Sequence, residues 1–459
     1  IAAILEFDAD IIESVLAEER LRNLKDGSSI MYDTTAFNLT MMYGLEAVTV
    51  PSNLEVGLKE WSPQNISIKT NPEAIIWAVD GVDDNSVAFA ARLMEKGVEV
   101  RIIDKEALLS KQTLSRGSIA VLAMDNPEYE DLSETVNSIA SDLDISVLSI
   151  ESGFGAEELP DWGGRHFRLL ERPQIAILSQ SGFSSYDVGV SWWSLDHHLG
   201  IRHSQIDASL INYADLRRYN TIILPSGYRD MGEYEKKVLS DWMEQGGTLI
   251  AHAASSSALA SEQGIGSVKL LQNTFEESEK YNISLQRELS ALYEELDIES
   301  VNSNKVGLDT AYPWEQSEGK YPPSQLEYRD NWQSIFMPSG AFVSGRTDQE
   351  HWLTFGTNST LPLLYRSYPV LMSDDSSEAP IRVGVFSDSA KANTYSTINW
   401  SDIPPGKELN VRMSGLLWPE AAQRIANSAY LTRDRIGKGQ LILFSGCLLY
   451  TSPSPRDPS

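Results

Sequence analysis

Short apolar runs that alternate with helix-forming segments constrain this chain more than any other feature. Runs such as 74–79 and 174–179 have the length of buried strands, and 86–96 and 187–199 follow them with apolar residues at helical spacing. Strands and helices that alternate along a chain are joined by crossover connections. The pattern therefore predicts an α/β fold with largely parallel sheets.

The alternation divides into two predicted units, because 459 residues are too many for one ordinary core. We place the first α/β unit at 58–170 and the second at 171–446. An insertion at about 264–330 interrupts the second unit. Its acidic, helix-favouring stretch at 276–300 predicts a solvated helix or hairpin.

The charge balance excludes one class of partner. The chain has 65 acidic and 37 basic side chains and a formal net charge of -28, so it repels a nucleic-acid backbone over most of its surface. Its apolar runs are also far shorter than the 18 or more residues typical of a membrane span. We expect neither a nucleic-acid partner nor a membrane span.

Both ends of the sequence are unusual. Residue 1 is not Met, and no basic segment precedes an apolar core, so we expect a truncated N-terminus without a visible signal peptide. Residues 447–459 resemble the translation of an adapter from transposase-made sequencing libraries. On that interpretation Cys447, the one cysteine, is not native, and the fragment offers no disulfide and no thiol nucleophile.

The histidines do not have the spacing of a zinc peptidase site. Such a site needs two imidazoles and a carboxylate, and no His here lies in an H-x-x-E or H-E-x-x-H pattern. His197, His198 and His203 are close in sequence and offer a chance metal site. The alternative is that the first two stabilise the C-terminal end of a helix. We predict no metal site and no cofactor in this chain.

The end of the predicted strand 248–252 is a candidate catalytic turn. A strand-to-helix turn presents the nucleophile in several hydrolase folds, and His252 and Ser255 are the weak candidates here. The turn has no Cys and no G-x-S-x-G motif. The alternative is that Ser255 or Ser256 caps the next helix.

Two loops at the carboxyl ends of predicted parallel strands are candidates for ligand binding. Open α/β sheets bind ligands at this edge, which here receives Ser185, Tyr186, Gly227 and Tyr228. The alternative for the first loop is a plain turn and helix cap. We expect the nearby pair 192–193, two tryptophans, to belong to the core.

A family resemblance rests on several runs of residues. The chain resembles the C-terminal region of large bacterial carboxypeptidase A-like zinc peptidases in 172–178, Trp192, 194–196, His203, 206–207, 215–225 and 246–250, and more weakly in 32–39, 43–45, 351–353, Gly356, 437–439 and 443–444. The likeness is strongest in 172–250.

This resemblance implies a fold and an activity. It implies a class I glutamine amidotransferase-like domain, flavodoxin-like and doubly wound, at 171–446, and it makes 1–57 the C-terminal remnant of a peptidase domain. The implied parent is an exported zinc metallocarboxypeptidase that removes C-terminal residues from peptides. Its zinc ligands and catalytic Glu lie upstream of residue 1.

Three functions remain open from the sequence. The first is a non-catalytic accessory region that packs on the upstream peptidase domain or presents peptide substrate to it. The second is a binding module whose amidotransferase-like crevice holds a peptide or a sugar. The third is a hydrolase based on Ser255.

Overall fold

We describe a computed structural model of the chain. It covers residues 9–27, 71, 73–156, 159–227, 231–293, 322–367, 369–389 and 396–446. Tyr228, the segment 447–459, most of 1–57 and much of the predicted insertion lie outside these residues. Helix α1 spans Ala9–Asp26, and the assignment of 1–57 to a peptidase domain stays a prediction.

The first unit is built on a five-stranded sheet with two helices. The strands of the unit are β1 Ile76–Val79, β2 Arg101–Ile103, β3 Ala107–Leu109, β4 Gln112–Leu114, β5 Ile119–Leu122, β6 Leu148–Ile150 and β7 Phe167–Leu169. Strands β3 and β4 form a separate hairpin outside the sheet. Its helices are α2 Ser86–Glu95 and α3 Leu132–Leu143. The sheet order is β6-β1-β5-β2-β7.

The predicted parallel sheet is wrong for this unit, because every neighbouring pair in the sheet is antiparallel. The hairpin β3–β4 was not predicted from the sequence, and it reverses the chain between β2 and β5. Its two-residue turn has positive φ at Ser110 (48°) and Lys111 (66°), without the Asn-Gly or Asp-Gly that usually marks such turns. The helical crossovers therefore join parallel strands separated by an antiparallel neighbour, as in split β-α-β folds.

The second unit contains one large mixed sheet. Its first strands are β8 Ile175–Ser179, β9 His203–Asp207, β10 Thr221–Leu224, β11 Thr248–His252 and β12 Lys269–Leu270. The later strands of the unit are β13 Ala341–Thr347, β14 Thr360–Tyr365, β15 Leu371–Met372, β16 Glu378–Val383, β17 Val385–Asp388, β18 Ser396–Ile398, β19 Ser401–Ile403, β20 Lys407–Asn410, β21 Arg412–Ser414, β22 Ala429–Ile436 and β23 Gly439–Phe444. Outside the large sheet, β17 pairs with β20 and β18 pairs with β19 in two small sheets. The helices are α4 Ser185–Trp193, α5 Glu233–Glu244, α6 Ala254–Leu259, α7 Ser278–Tyr293, α8 Pro323–Ser334 and α9 Pro419–Ile425.

The large sheet has two halves. In the parallel half the order is β9-β8-β10-β11-β23, and all four neighbouring pairs are parallel, as the sequence predicted. In the antiparallel half the order continues β22-β16-β13-β14 with antiparallel pairs. The protein is therefore a mixed α/β fold in which one part of one sheet is parallel.

The prediction for the acidic stretch needs one correction. Residues 278–293 of this stretch form helix α7, as predicted, but the helix is not fully solvated. Its apolar face, with Tyr281, Leu285 and Leu289, is buried against the antiparallel half of the sheet.

The two units contact each other through helix α2. Glu95 accepts hydrogen bonds from Arg172 (3.0 Å) and Arg202 (2.8 Å) of the second unit. Arg92 donates to the carbonyl of His198 at 3.0 Å. Among the described residues no helix is both long enough and apolar enough to cross a bilayer.

Candidate functional site

A cavity of about 710 Å³ lies at the carboxyl ends of the parallel strands, and we call it the crevice. Side chains from the loops after β8, β10 and β11 form one wall, and segments of the antiparallel half form the other. The lining residues are Ser184, Tyr186, Asp187, Ser226, Ala253, Ala254, Ser257, Leu270, Leu271, Gln272, Pro338, Ser339, Arg366, Ser367, Pro369, Val370 and Arg424. Hydroxyl, amide and charged groups therefore dominate the wall chemistry.

The crevice lies beside the point where the strand order reverses. Strand β8 has β9 on one side and β10 on the other, so the loops after β8 and β10 separate there. Ligands of open α/β sheets bind at such a position. The antiparallel half contributes Arg366 and Arg424, which were not predicted from the sequence because they lie more than 100 residues after β11.

The predicted loop after β8 is both a helix cap and part of the crevice wall. Ser184 is the N-cap of α4, where its side chain accepts from the backbone N–H of Asp187 at 3.3 Å. Ser185 is exposed and is not among the lining residues. Tyr186 lines the crevice with 82% of its side chain exposed, so it lies at the mouth.

Gly227 has a structural role beside the crevice. It forms an isolated β-bridge with Phe183. A Cβ at this position would lie 2.9 Å from the carbonyl oxygen of Gly182, so a larger residue would separate the two loops. Tyr228, the other predicted ligand contact of this loop, lies outside the described residues.

The turn from β11 to α6 has a strained backbone at Ala253. This residue has φ 47° and ψ −114°, a combination that L-residues rarely adopt. Its N–H donates to the carbonyl of Phe444 at 3.0 Å, which anchors the turn to the neighbouring strand. A strained strand-to-helix turn is where several hydrolase folds carry their nucleophile. Here that position has only a methyl group.

The neighbouring serines hold the turn in place. The Ser255 hydroxyl donates to the carbonyl of Pro225 at 2.6 Å, and the Ser256 hydroxyl donates to the carbonyl of Phe444 at 2.8 Å. Both are buried. Neither caps α6, whose N-cap is Ala253, because the helix begins one residue before Ser255. Ser255 was a candidate from the sequence because the residue type at Ala253 gives no sign of the backbone strain there.

The His252 imidazole is not the hydrogen-bond partner of the Ser255 hydroxyl, which donates to the Pro225 carbonyl. Its ring is buried and stacks on Phe444 with a centroid distance of 5.3 Å. Burial lowers the pKa of His252 to about 4, although the nearby Asp187 carboxylate opposes that change. Its Nδ1 atom has no hydrogen-bond partner among the described residues. The side chain is therefore a neutral imidazole at ordinary pH.

The charged groups of the crevice have both signs. Asp187 lies on one wall, and Arg366 and Arg424 lie on the other. The Arg424 guanidinium is held by Asp330, which accepts hydrogen bonds at 2.7 and 3.2 Å. This fork keeps the arginine oriented while its charge is compensated. The crevice can thus bind a polar ligand without a strong preference for one charge.

The histidines near α4 do not form a metal site in the part of the chain that the structure describes, where no group of three metal-ligating side chains occurs. His197 stacks on Trp193, and His203 has its Nδ1 3.2 Å from the carbonyl of Ile201. Burial, together with the nearby Arg92 charge, lowers the pKa of His198. The zinc of the parent peptidase stays a prediction about residues upstream.

Comparisons with known proteins give no close relative. No protein-family model and no curated protein matches the chain. A β-galactosidase from Bacillus circulans is 11% identical with a TM-score of 0.30, covering 61% of this chain and 30% of the enzyme. An exo-β-1,4-mannosidase from an Opitutaceae bacterium is 9% identical with a TM-score of 0.27, covering 61% of this chain and 32% of the enzyme.

A smaller protein gives a similar result. A putative ThuA-like protein from Bacteroides uniformis is 10% identical with a TM-score of 0.27, covering 60% of this chain and 81% of that protein. This chain spans less than a third of the length of either glycosidase. Likenesses at these TM-scores assign neither fold nor function.

Proposed function

We propose that this chain is a non-catalytic, amidotransferase-like module that binds a small polar ligand in the crevice. The amidotransferase-like assignment is supported by the order of the parallel half. If the five strands are numbered in chain order, their order across the sheet is 2-1-3-4-5, which is the flavodoxin-like arrangement. The strained turn after the fourth of these strands supports the same assignment.

The main support for a non-catalytic role is that the strained position of the turn is occupied by Ala253. A covalent mechanism needs a hydroxyl, thiol or amine at the strained position, with a base within hydrogen-bond reach. The methyl group of Ala253 supplies none of these, and the Ser255 hydroxyl is buried and donates to the Pro225 carbonyl. The Ser255 hydrolase is therefore the weakest of the three functions. Ligand binding in the crevice therefore remains as the function of the site.

The crevice is suited to a peptide or a sugar. Its volume of about 710 Å³ is in the range of ligand sites, and its walls present serine hydroxyls, an amide, a carboxylate and two guanidinium groups. Such groups pair with the hydroxyl and amide groups of neutral polar molecules. The cavity therefore has donors and acceptors for either ligand.

Isothermal titration calorimetry of the full chain tests this proposal, with glucose, cellotetraose and tetra-alanine as probes. We expect at least one probe to bind. Ser257→Trp, which fills the crevice, should abolish that binding, whereas Ser141→Trp on an exposed face of the first unit should leave it unchanged. Circular dichroism checks that both variants fold. Absence of binding by all three probes, or equal binding by Ser257→Trp, overturns the proposal.

A second proposal concerns the parent protein. We propose that the module is the C-terminal part of an exported bacterial zinc metallocarboxypeptidase, where it contacts the upstream peptidase domain. The resemblance in 172–250 supports this. Sequencing the gene upstream of residue 1 tests it: we expect an H-x-x-E motif followed by a distant His. A complete upstream reading frame without these residues would falsify the proposal.

A further inference from the structure

An aromatic stripe extends from the crevice along helix α4. Tyr186, Gly189, Trp193 and His197 occupy positions i, i+3, i+7 and i+11 of one continuous helical segment, so they follow one another on the same face. All four are exposed. Tyr186 also lines the crevice, so the stripe begins at the crevice mouth.

The tryptophans of this helix do not belong to the core, contrary to the sequence analysis. Trp192 is 41% exposed and Trp193 is 39% exposed, because the helix buries Ser191 and the following turn buries Leu195. The helix continues into a π-helical turn, Ser194–Leu199. π-helical turns are frequent at functional sites.

Two rings of the stripe contact each other, and one face of Trp193 is covered by His197. The rings of Trp193 and His197 are stacked with a centroid distance of 5.0 Å and an interplanar angle of 10°. Tyr186 and Trp193 are separated by about 10 Å along the axis, given the helical rise per residue. Gly189 between them leaves the surface open, since a Cβ there would have no heavy atom within 4 Å.

We propose that the stripe extends the crevice into a binding track for a neutral, linear oligosaccharide, an inference that rests on the proposed ligand-binding function. One sugar ring occupies the crevice, where serine hydroxyls and Asp187 pair with its hydroxyl groups. The next rings lie on Tyr186 and Trp193. The negative face of an aromatic ring attracts the weakly polar C–H groups on the flat side of a pyranose.

The surroundings favour a sugar over a peptide or a polyanion. Extended peptides bind by adding a strand to an exposed sheet edge, and the backbone groups of this helix are already hydrogen-bonded within it. A peptide helix needs an apolar groove, whereas this stripe is a convex helix face. The net charge of -28 disfavours a polyanionic chain.

Calorimetry of the full chain with glucose, cellotetraose, maltotetraose and tetra-alanine tests the track. We expect a tetrasaccharide to bind at least about tenfold more tightly than glucose, because additional rings stack on the stripe. Trp193→Ala should reduce the ratio of tetrasaccharide to glucose affinity about tenfold. Phe154→Ala, which removes an 82% exposed aromatic ring from the first unit, should leave both affinities unchanged.

The outcomes separate this inference from the function on which it rests. If tetra-alanine binds in the crevice and no sugar binds, the ligand-binding function stands and the track is wrong. If sugars bind but a tetrasaccharide binds no more tightly than glucose, or if Trp193→Ala leaves the ratio unchanged, the track is also wrong. If no probe binds, both proposals fail.

Discussion

The two halves of the large sheet differ in what they bury. In the parallel half the four strands other than the edge strand β9 are largely apolar: β8 is buried at all five positions, and His252 is the one buried ionisable side chain among the described residues of the five parallel strands. The antiparallel half buries Arg346, Arg382 and Asp434 on neighbouring strands. One continuous sheet therefore contains an apolar region and an ionic region.

The difference follows from how each half satisfies its polar groups. Parallel strands covered by helices on both faces have only backbone partners for their hydrogen bonds, so their side chains are apolar. In the antiparallel half each buried charge has a partner. Arg382 donates to Glu288 at 2.7 Å and to Ser373 at 3.0 Å, and Asp434 accepts from the backbone N–H of Ser267 at 2.7 Å.

The largest expected effect is on the antiparallel half, at Arg382. Glu288→Ala should lower the free energy of unfolding by about 3 kcal/mol, because it leaves the buried Arg382 guanidinium without its carboxylate partner. Arg287→Ala is the matched control, since its ion pair with Asp375 is exposed and begins on the adjacent residue of α7. Urea denaturation measures both variants. Similar losses in the two would contradict the distinction between buried and exposed pairs.

The second effect concerns His252 in the parallel half and depends on pH. The unfolded chain takes up the imidazole proton near pH 6.5, whereas the folded protein takes it up only near pH 4. Stability should therefore fall as pH drops from about 6.5 to about 4, by about 3 kcal/mol. Carboxyl groups with lowered pKa values, such as Asp374 and Glu378, act mainly at lower pH.

The His252→Phe variant isolates this contribution. Phenylalanine keeps a ring against Phe444 and removes the titrating group. The stability of the variant, measured by urea denaturation at a series of pH values, should fall less steeply between pH 6.5 and 4.5 than that of the unmodified protein, and the remaining slope includes His198, whose pKa is also lowered. An unchanged slope in the variant would show that other groups cause the loss.

A smaller effect is expected at Ser255. Ser255→Ala should lower the free energy of unfolding by about 1–3 kcal/mol, because the buried Pro225 carbonyl loses its donor. Ser257→Ala, at a partly exposed position in the crevice wall, should cost less. If Ser255→Ala instead abolished a measured esterase activity with no loss of stability, the non-catalytic proposal would be wrong.

The smallest effect has the opposite sign and concerns Ala253. Ala253→Gly should raise the free energy of unfolding by about 1 kcal/mol, because glycine adopts φ 47° without the strain that alanine carries. Ala251→Gly in the middle of β11 is the control and should destabilise the protein. Thermal denaturation compares the two. Destabilisation by both substitutions would mean that the turn stores no strain at Ala253.

Much of the fold was predictable from the sequence, because apolar runs and helical spacing are local signals. The strands β1, β8 and β11 were all expected near their observed positions. The direction of the strands in the first unit was not, since it depends on a hairpin whose turn residues, Ser110 and Lys111, are unusual for that turn. The relative direction of two strands depends on the segment that connects them and is not encoded in the strands themselves.

The candidate site was predictable only in part. The loops after β8 and β10 were identified because parallel strands end at one edge, and Tyr186 is among the lining residues of the crevice. Ala253 was missed because an alanine carries no chemical signal, and its importance lies in its backbone angles. Trp193 was assigned to the core because an apolar side chain does not reveal which face of a helix is covered.

The sequence by itself determined the α/β class, the positions of most strands and the lack of a thiol in the turn after β11. Each of these depends on residue type or on short-range spacing. Only the tertiary structure decided that the first sheet is antiparallel and that Arg366 and Arg424 close the crevice. It alone placed Trp193 in the solvent. These features depend on segments far apart in the chain, which meet only when the whole sheet is assembled.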